Sequence, residues 1–197
     1  MNNFSKILVL FFSFCVINHA EAARPMLTDD ARIVDPKSCQ LESWVRDSKH
    51  VTEYWALPAC NVSENLEVTI GGSLESESGQ SSFASELYQM KSIIQPIAIN
   101  QTGFSIVLGN GRDPKRTMNK AIQDWFLNVP MSYPYNDRLV IHTNLGVTHL
   151  TDEHKEKVNW GLSSEYNYNE RVDLISEVFN QSSNSTFFQF GLRYWLI

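Results

Sequence analysis

Ser163, His142 and Glu165 are the residue types of a Ser–His–acid hydrolase, in which an imidazole takes the serine proton and a carboxylate orients the ring. All three fall on polar faces of neighbouring candidate strands, so one lumen could gather them. No G-x-S-x-G elbow accompanies them, and an outer-membrane lipid-modifying enzyme such as a deacylase is the weakest of three functional readings. His142, His149 and His154 raise a metal site or a catalytic base. Their spacing matches neither H-E-x-x-H nor a Cys/His cluster, which makes them lumen or loop histidines. Thr28-Asp29-Asp30-Ala31 places two carboxylates side by side, which suits a hard cation, and the segment could instead dock in the lumen. Two adjacent aspartates do not make a calcium loop, and a solvated capping or turn segment is the plainer reading. No catalytic residue, metal ligand or cofactor is therefore assigned, and the chain is not read as an enzyme.

The elements that would carry these residues begin with an export leader. Met1–Lys6 carries one positive charge, Ile7–Ile17 is apolar, and Ala20 and Ala22 form an A-x-A cleavage site. That is the pattern of a secretory signal peptide over residues 1–22, and the apolar run is too short for a comfortable membrane anchor. The chain of 197 residues then leaves about 175, enough for one domain. With 16 basic and 22 acidic residues the net charge is −6, which excludes the basic footprint of a nucleic-acid binder. Aromatics at 12% make general disorder improbable on composition. Cys39 and Cys60, 21 apart and flanking a candidate hairpin, are a candidate disulfide in an exported protein; two free thiols are the alternative.

Period-two alternation dominates the body of the chain. The strongest runs are Asn65–Ile70, Leu139–Val147, Val158–Tyr166 and Phe188–Leu196. Weaker ones are Cys39–Arg46, Thr52–Ala59, Phe83–Ile94, Phe104–Gly109, Trp125–Ser132 and Val172–Phe179, for ten candidate strands in all. Turn-rich stretches separate them at Gly71–Ser82, Asn110–Pro114, Asn136-Asp137 and Asn180–Thr186. Only Lys115–Asp124 reads as a helical turn. Residues 23–37 form an N-terminal periplasmic segment, and residues 38–197 the barrel domain.

Alternation does not say which face is buried. A soluble ligand-binding barrel of lipocalin type turns its apolar face inward; a membrane barrel turns it to lipid around a polar lumen. Three features favour the membrane barrel. The polar faces mix small and charged residues, with Glu42, Arg46, Glu67, His142, Asn144, Glu165, Glu177 and Arg193 as candidate lumen-facing groups. Tyr54, Trp55, Trp125, Tyr133, Tyr135, Trp160, Tyr166, Tyr168, Tyr194 and Trp195 gather near strand ends, as an interfacial girdle requires. The chain closes on an alternating aromatic strand, FFQFGLRYWLI. The expected fold is all-β, an antiparallel up-and-down transmembrane β-barrel of about ten strands.

Arg24, Pro25, Thr28, Asp29 and Asp30, within RPMLTDDA, resemble the R-P-L-x-T-D-D-A opening of outer-membrane barrels of the meta-pathway phenol-degradation family. Val34–Arg46, Trp55–Asn61, Leu66–Gly72, Leu127–Tyr133, Asp137–Gly146, Trp160–Tyr166 and Phe187–Trp195 are similar to that group as well. The resemblance implies a Gram-negative outer-membrane barrel, inserted by the barrel assembly machinery into outer-membrane lipid. It also implies a passive channel or binding barrel for small, aromatic or hydrophobic solutes. It implies no catalytic residues. Relatives in that group continue past the RYW strand, so a barrel shortened from twelve strands stands beside a natural ten-stranded one. The sequons at Asn61, Asn100, Asn180 and Asn184 matter only in a eukaryotic secretory host, against which the resemblance argues.

Overall fold

The structure is a computed structural model that describes residues 26–47, 51–77, 79–114, 124–180 and 185–195. The leader read at residues 1–22, Arg24 and Pro25, and residues 115–123 of the stretch read as a helical turn lie outside the described residues. The described chain forms ten strands: β1 (Cys39–Asp47), β2 (Val51–Ser63), β3 (Leu66–Glu77), β4 (Gln80–Gln95), β5 (Gly103–Arg112), β6 (Asp124–Asn136), β7 (Leu139–Leu150), β8 (Lys155–Asn169), β9 (Val172–Asn180) and β10 (Phe187–Tyr194). Each of the ten alternating runs corresponds to one of them.

The strands make one antiparallel sheet in sequence order, β1 to β10, an up-and-down half-barrel. Every strand pairs with its sequence neighbour, so each connection is a simple reversal. At one end three links are two residues long: Glu64-Asn65, Asp137-Arg138 and Glu170-Arg171 join β2 to β3, β6 to β7 and β8 to β9, and residues 96–102 join β4 to β5. The opposite end carries the 113–123 and 181–186 connections.

Gly71–Ser82 does not form the loop expected of it. β3 continues through Gly71-Gly72 to Glu77, and the reversal falls at Gly79, whose φ is +82°. The two glycines serve close approach of neighbouring strands rather than a turn. A Cβ at Gly71 would meet the Ala56 carbonyl oxygen, and one at Gly72 the Ser85 carbonyl oxygen.

The faces are sorted opposite to a soluble barrel. Large apolar side chains point away from the concave side and stay exposed: Leu41 61%, Ile70 56%, Leu145 58%, Phe190 81%. The concave side buries polar and charged groups, among them Glu67, Lys91, His142, Glu165, Glu177 and Arg193. An apolar exterior with a polar interior costs free energy in water and is stable against lipid, so the sheet is a transmembrane barrel wall. Aromatic rings mark both rims of its outer face. Tyr133, Tyr135, Tyr166, Tyr168 and Tyr194 stand exposed near the short-turn end; Tyr54, Phe83, Trp125 and Phe188 stand near the other.

Two rings expected in the girdle lie elsewhere. Trp55 stacks on Trp44 with centroids 5.2 Å apart and donates its Nε1–H to Glu53 at 2.8 Å. Trp195 donates its Nε1–H to Asp173 at 2.7 Å and lies under the Arg193 guanidinium. Indole N–H groups need acceptors, and the charged inner wall provides them.

Cys39 and Cys60 face each other across β1 and β2 and are joined by a disulfide. It closes a loop of about 21 residues, for which chain entropy predicts roughly 3 kcal/mol of stabilisation. The paired variant Cys39→Ser/Cys60→Ser should unfold in urea–detergent titrations about 2–4 kcal/mol more easily, with no change in heat-dependent gel mobility. The outer face gives a second expectation. Leu162→Arg, mid-strand and outward, should cost about 2–4 kcal/mol of insertion into lipid vesicles.

Candidate functional site

The concave face holds a second layer, made by residues 26–37. This stretch, assigned by sequence to a segment outside the barrel domain, runs across the inner wall from β9 to β2. Its backbone groups are satisfied by wall side chains. The Thr28 N–H donates to Glu177 Oε2 at 3.0 Å, the Ala31 N–H to Ser132 Oγ at 2.9 Å and the Val34 N–H to Glu67 Oε2 at 2.9 Å. The Ala31 carbonyl accepts from Ser105 Oγ at 2.7 Å, and the Val34 carbonyl from Asn61 Nδ2 at 2.7 Å. The Asn144 amide, oriented by its partners, donates to the Asp29 carbonyl at 2.9 Å and accepts from the Asp29 N–H. A polar wall is what an extended chain needs here, since a buried main-chain N–H without an acceptor is costly.

Charges fasten the same stretch. Lys91 Nζ lies 2.8 Å from Asp29 and 3.6 Å from Asp30. Arg32 reaches Glu165 at 3.4 Å. Lys91 is itself buried at 4% exposure, so the paired aspartates supply the counter-charge it requires. Burial pushes the Asp29 carboxyl upward from its ordinary value; the neighbouring Lys91 ammonium opposes this. The adjacent carboxylates thus meet an ammonium, and among the described residues no His/Cys/Asp/Glu cluster is arranged for a metal ion.

Behind Ala31 the polar contacts continue through the wall. Ser132 Oγ and His142 Nδ1 are 2.7 Å apart, and both residues are fully buried. His142 Nε2 faces Glu165 at 3.8 Å. Glu165 accepts from Arg193 at 2.9 Å, and Arg193 also reaches Asp173 at 3.5 Å. Glu165, Asn144, Glu67 and Glu177 therefore contact the N-terminal segment, and His142 and Arg193 stand behind it through Ser132 and Glu165. Glu42 is half-buried on the same wall. Arg46 sits exposed at the rim, paired with Glu53 at 3.5 Å.

The hydrolase grouping is not assembled. Ser163 lies opposite His142 in register, yet its buried hydroxyl has no partner and the His142 ring is engaged by Ser132. His149 stacks on Trp125, and His154 occupies a turn with φ of 51°. Sequence reasoning missed Lys91, Asp173, Ser105 and Ser132. Each sits at an inward position of its strand, so period-two alternation extended to the weaker runs would have found them. It also missed the role of Gly161, where a Cβ would lie 2.5 Å from Thr28 Oγ1. That glycine keeps the wall thin where the segment crosses it.

Removing the ammonium tests this arrangement. Lys91→Met should weaken the attachment of residues 28–34 by about 1–3 kcal/mol, the scale of a charged hydrogen bond. Hydrogen exchange would read it as several-fold faster exchange of the Thr28 and Ala31 amides, with β7 and β8 amides unchanged.

Comparison with known proteins now adds to this geometry. The family described as "Uncharacterised conserved protein UCP029691" matches residues 11–196. No curated protein matches the chain. Among solved structures the chain is similar to one titled "KdgM porin in complex with disordered oligogalacturonate", at 13% identity and a TM-score of 0.61. That likeness covers 82% of this chain and 86% of the porin chain, and it shows a shared fold. The resemblance to phenol-degradation barrels carries no more than the barrel architecture. The chain belongs to the UCP029691 family and shares the up-and-down β-barrel fold of a porin.

Proposed function

We propose that this protein is a passive outer-membrane channel for small polar solutes, favouring cations and neutral molecules over anions. The carrying observation is the inner wall. Glu42, Glu67, Glu165, Asp173 and Glu177 lie on it, buried or half-buried, against Lys91 and Arg193. These carboxylates outnumber the cations beside them and give the concave face a negative field, and such charged linings set selectivity in channels. The N-terminal stretch adds Asp29, Asp30 and Arg32, which leaves the balance acidic.

The fold shared with a porin supports the channel reading. The acid-rich wall distinguishes this lumen from one suited to an acidic oligosaccharide such as the one named in the porin complex. Hydrophobic and aromatic solutes, implied by the phenol-degradation resemblance, would meet a wall whose apolar and aromatic side chains (Trp44, Trp55, Val107, Phe179) are interspersed with carboxylates, hydroxyls and amides, so the charged groups favour polar solutes. On this reading residues 1–22 are an export leader removed before residues 23–37 enter the lumen. The short turns face the periplasm, as in other barrels of this kind. Outer-membrane lipid and the barrel assembly machinery are the partners of insertion.

Purified, heat-modifiable protein in a planar bilayer under a KCl gradient tests the reading. The expected reversal potential has the sign of cation preference. Glu42→Gln/Glu67→Gln should reduce that preference while leaving heat modifiability intact. A folded protein that passes no current, with or without its N-terminal segment, would overturn the channel. Anion preference would overturn the solute class.

A further inference from the structure

We infer that residues 28–34 are a displaceable plug, docked in a site built on the inner wall, and that solutes pass when it leaves. The inference rests on the channel reading above. Four observations carry it.

The first is how the plug is held. Its described contacts with the wall run through side chains: Glu177, Ser132, Ser105, Asn144, Glu67 and Lys91. No sheet ladder includes it, since the ten-stranded order runs β1 to β10 without it. Side-chain acceptors and donors of this kind accept water in exchange, so the segment detaches without breaking the wall.

The second is incomplete satisfaction at its deepest point. Thr28 Oγ1, Ser163 Oγ and Glu177 Oε1 are buried there with no hydrogen-bond partner in the protein. Undocking opens all three to water and offsets part of the contact energy lost.

The third is a fitted recess. Gly161 leaves room for the Thr28 side chain, which any larger residue would fill. The fourth is a fixed pivot. The Ser38 N–H donates to the Asp35 carbonyl at 3.0 Å, Lys37 has φ of 62°, and the Asn61 N–H donates to the Ser38 carbonyl at 3.0 Å. The Cys39–Cys60 disulfide anchors β1 immediately beyond. Residues upstream of this turn swing while β1 stays in the sheet.

The test compares the full chain with a variant lacking residues 26–34 and with Gly161→Phe, all purified from membranes and checked for heat-modifiable mobility. In planar bilayers both variants should pass several-fold more mean current than the full chain. A synthetic peptide of residues 26–34, MLTDDARIV, should return the deletion variant to the full-chain level in a concentration-dependent way. The same peptide with both aspartates changed to asparagine should not. Equal current in full chain and variants, or no block by the peptide, overturns the plug. If the deletion variant does not fold, Gly161→Phe and Asp29→Asn/Asp30→Asn carry the comparison. Fluorescence anisotropy of labelled peptide on the deletion variant separates the two readings. Binding without any current in any variant sinks the channel and makes the segment a structural strap. Current without binding or block sinks the plug and leaves the channel standing.

Discussion

Main-chain hydrogen bonding in an apolar medium governs this molecule. Lipid offers neither donors nor acceptors, so a chain that crosses it as strands must pair each strand with neighbours. Ten strands in sequence order do this for β2 to β9 on both sides, since every reversal joins adjacent strands, and leave one edge each of β1 and β10 outside the ladder among the described residues. The same requirement explains the sorting of faces. Apolar side chains cover the outer surface, where they meet lipid, and polar ones are driven to the concave side.

A polar concave side then has needs of its own. Carboxylates, an ammonium and a guanidinium that leave bulk water require counter-charges and donors within reach. Part of this is met along the wall, where Glu165, Arg193, Asp173 and His142 form a continuous group. The rest is met by residues 28–34, whose amides, carbonyls and aspartates answer Glu177, Ser132, Glu67, Asn61 and Lys91. The N-terminal stretch is thus as much a partner of the inner surface as any strand. It is also the part whose contacts are easiest to exchange for water.

The disulfide and the turn at Asp35–Ser38 belong to the same economy. They fix the place where the chain leaves the interior and enters β1, so the inner layer is attached at one end whatever its other contacts do. Gly161 sits where that layer meets the wall most closely, and its missing side chain is a feature of fit rather than of backbone freedom.

Much of this was legible in the residues. Alternation along Leu139–Val147, Val158–Tyr166 and Phe188–Leu196 marked strands because side chains on a strand point to opposite faces by geometry alone. It also placed Glu67, His142, Asn144, Glu165, Glu177 and Arg193 together on one face. Gly71-Gly72 misled, since a glycine pair reads as a turn whether it bends the chain or lets two strands approach. Trp55 and Trp195 misled in the same manner, because ring type does not say which rim or face a ring joins. What the sequence determined by itself was the period, the strands and the chemical contrast between two faces, all of them local properties. Tertiary structure alone decided which face is inside, that Ser132 rather than Ser163 meets His142, and that Thr28–Val34 crosses the concave face with Lys91 and Glu177 as its partners. Those pairings join residues up to 149 apart in sequence, and only the curvature of the sheet brings them within hydrogen-bonding distance.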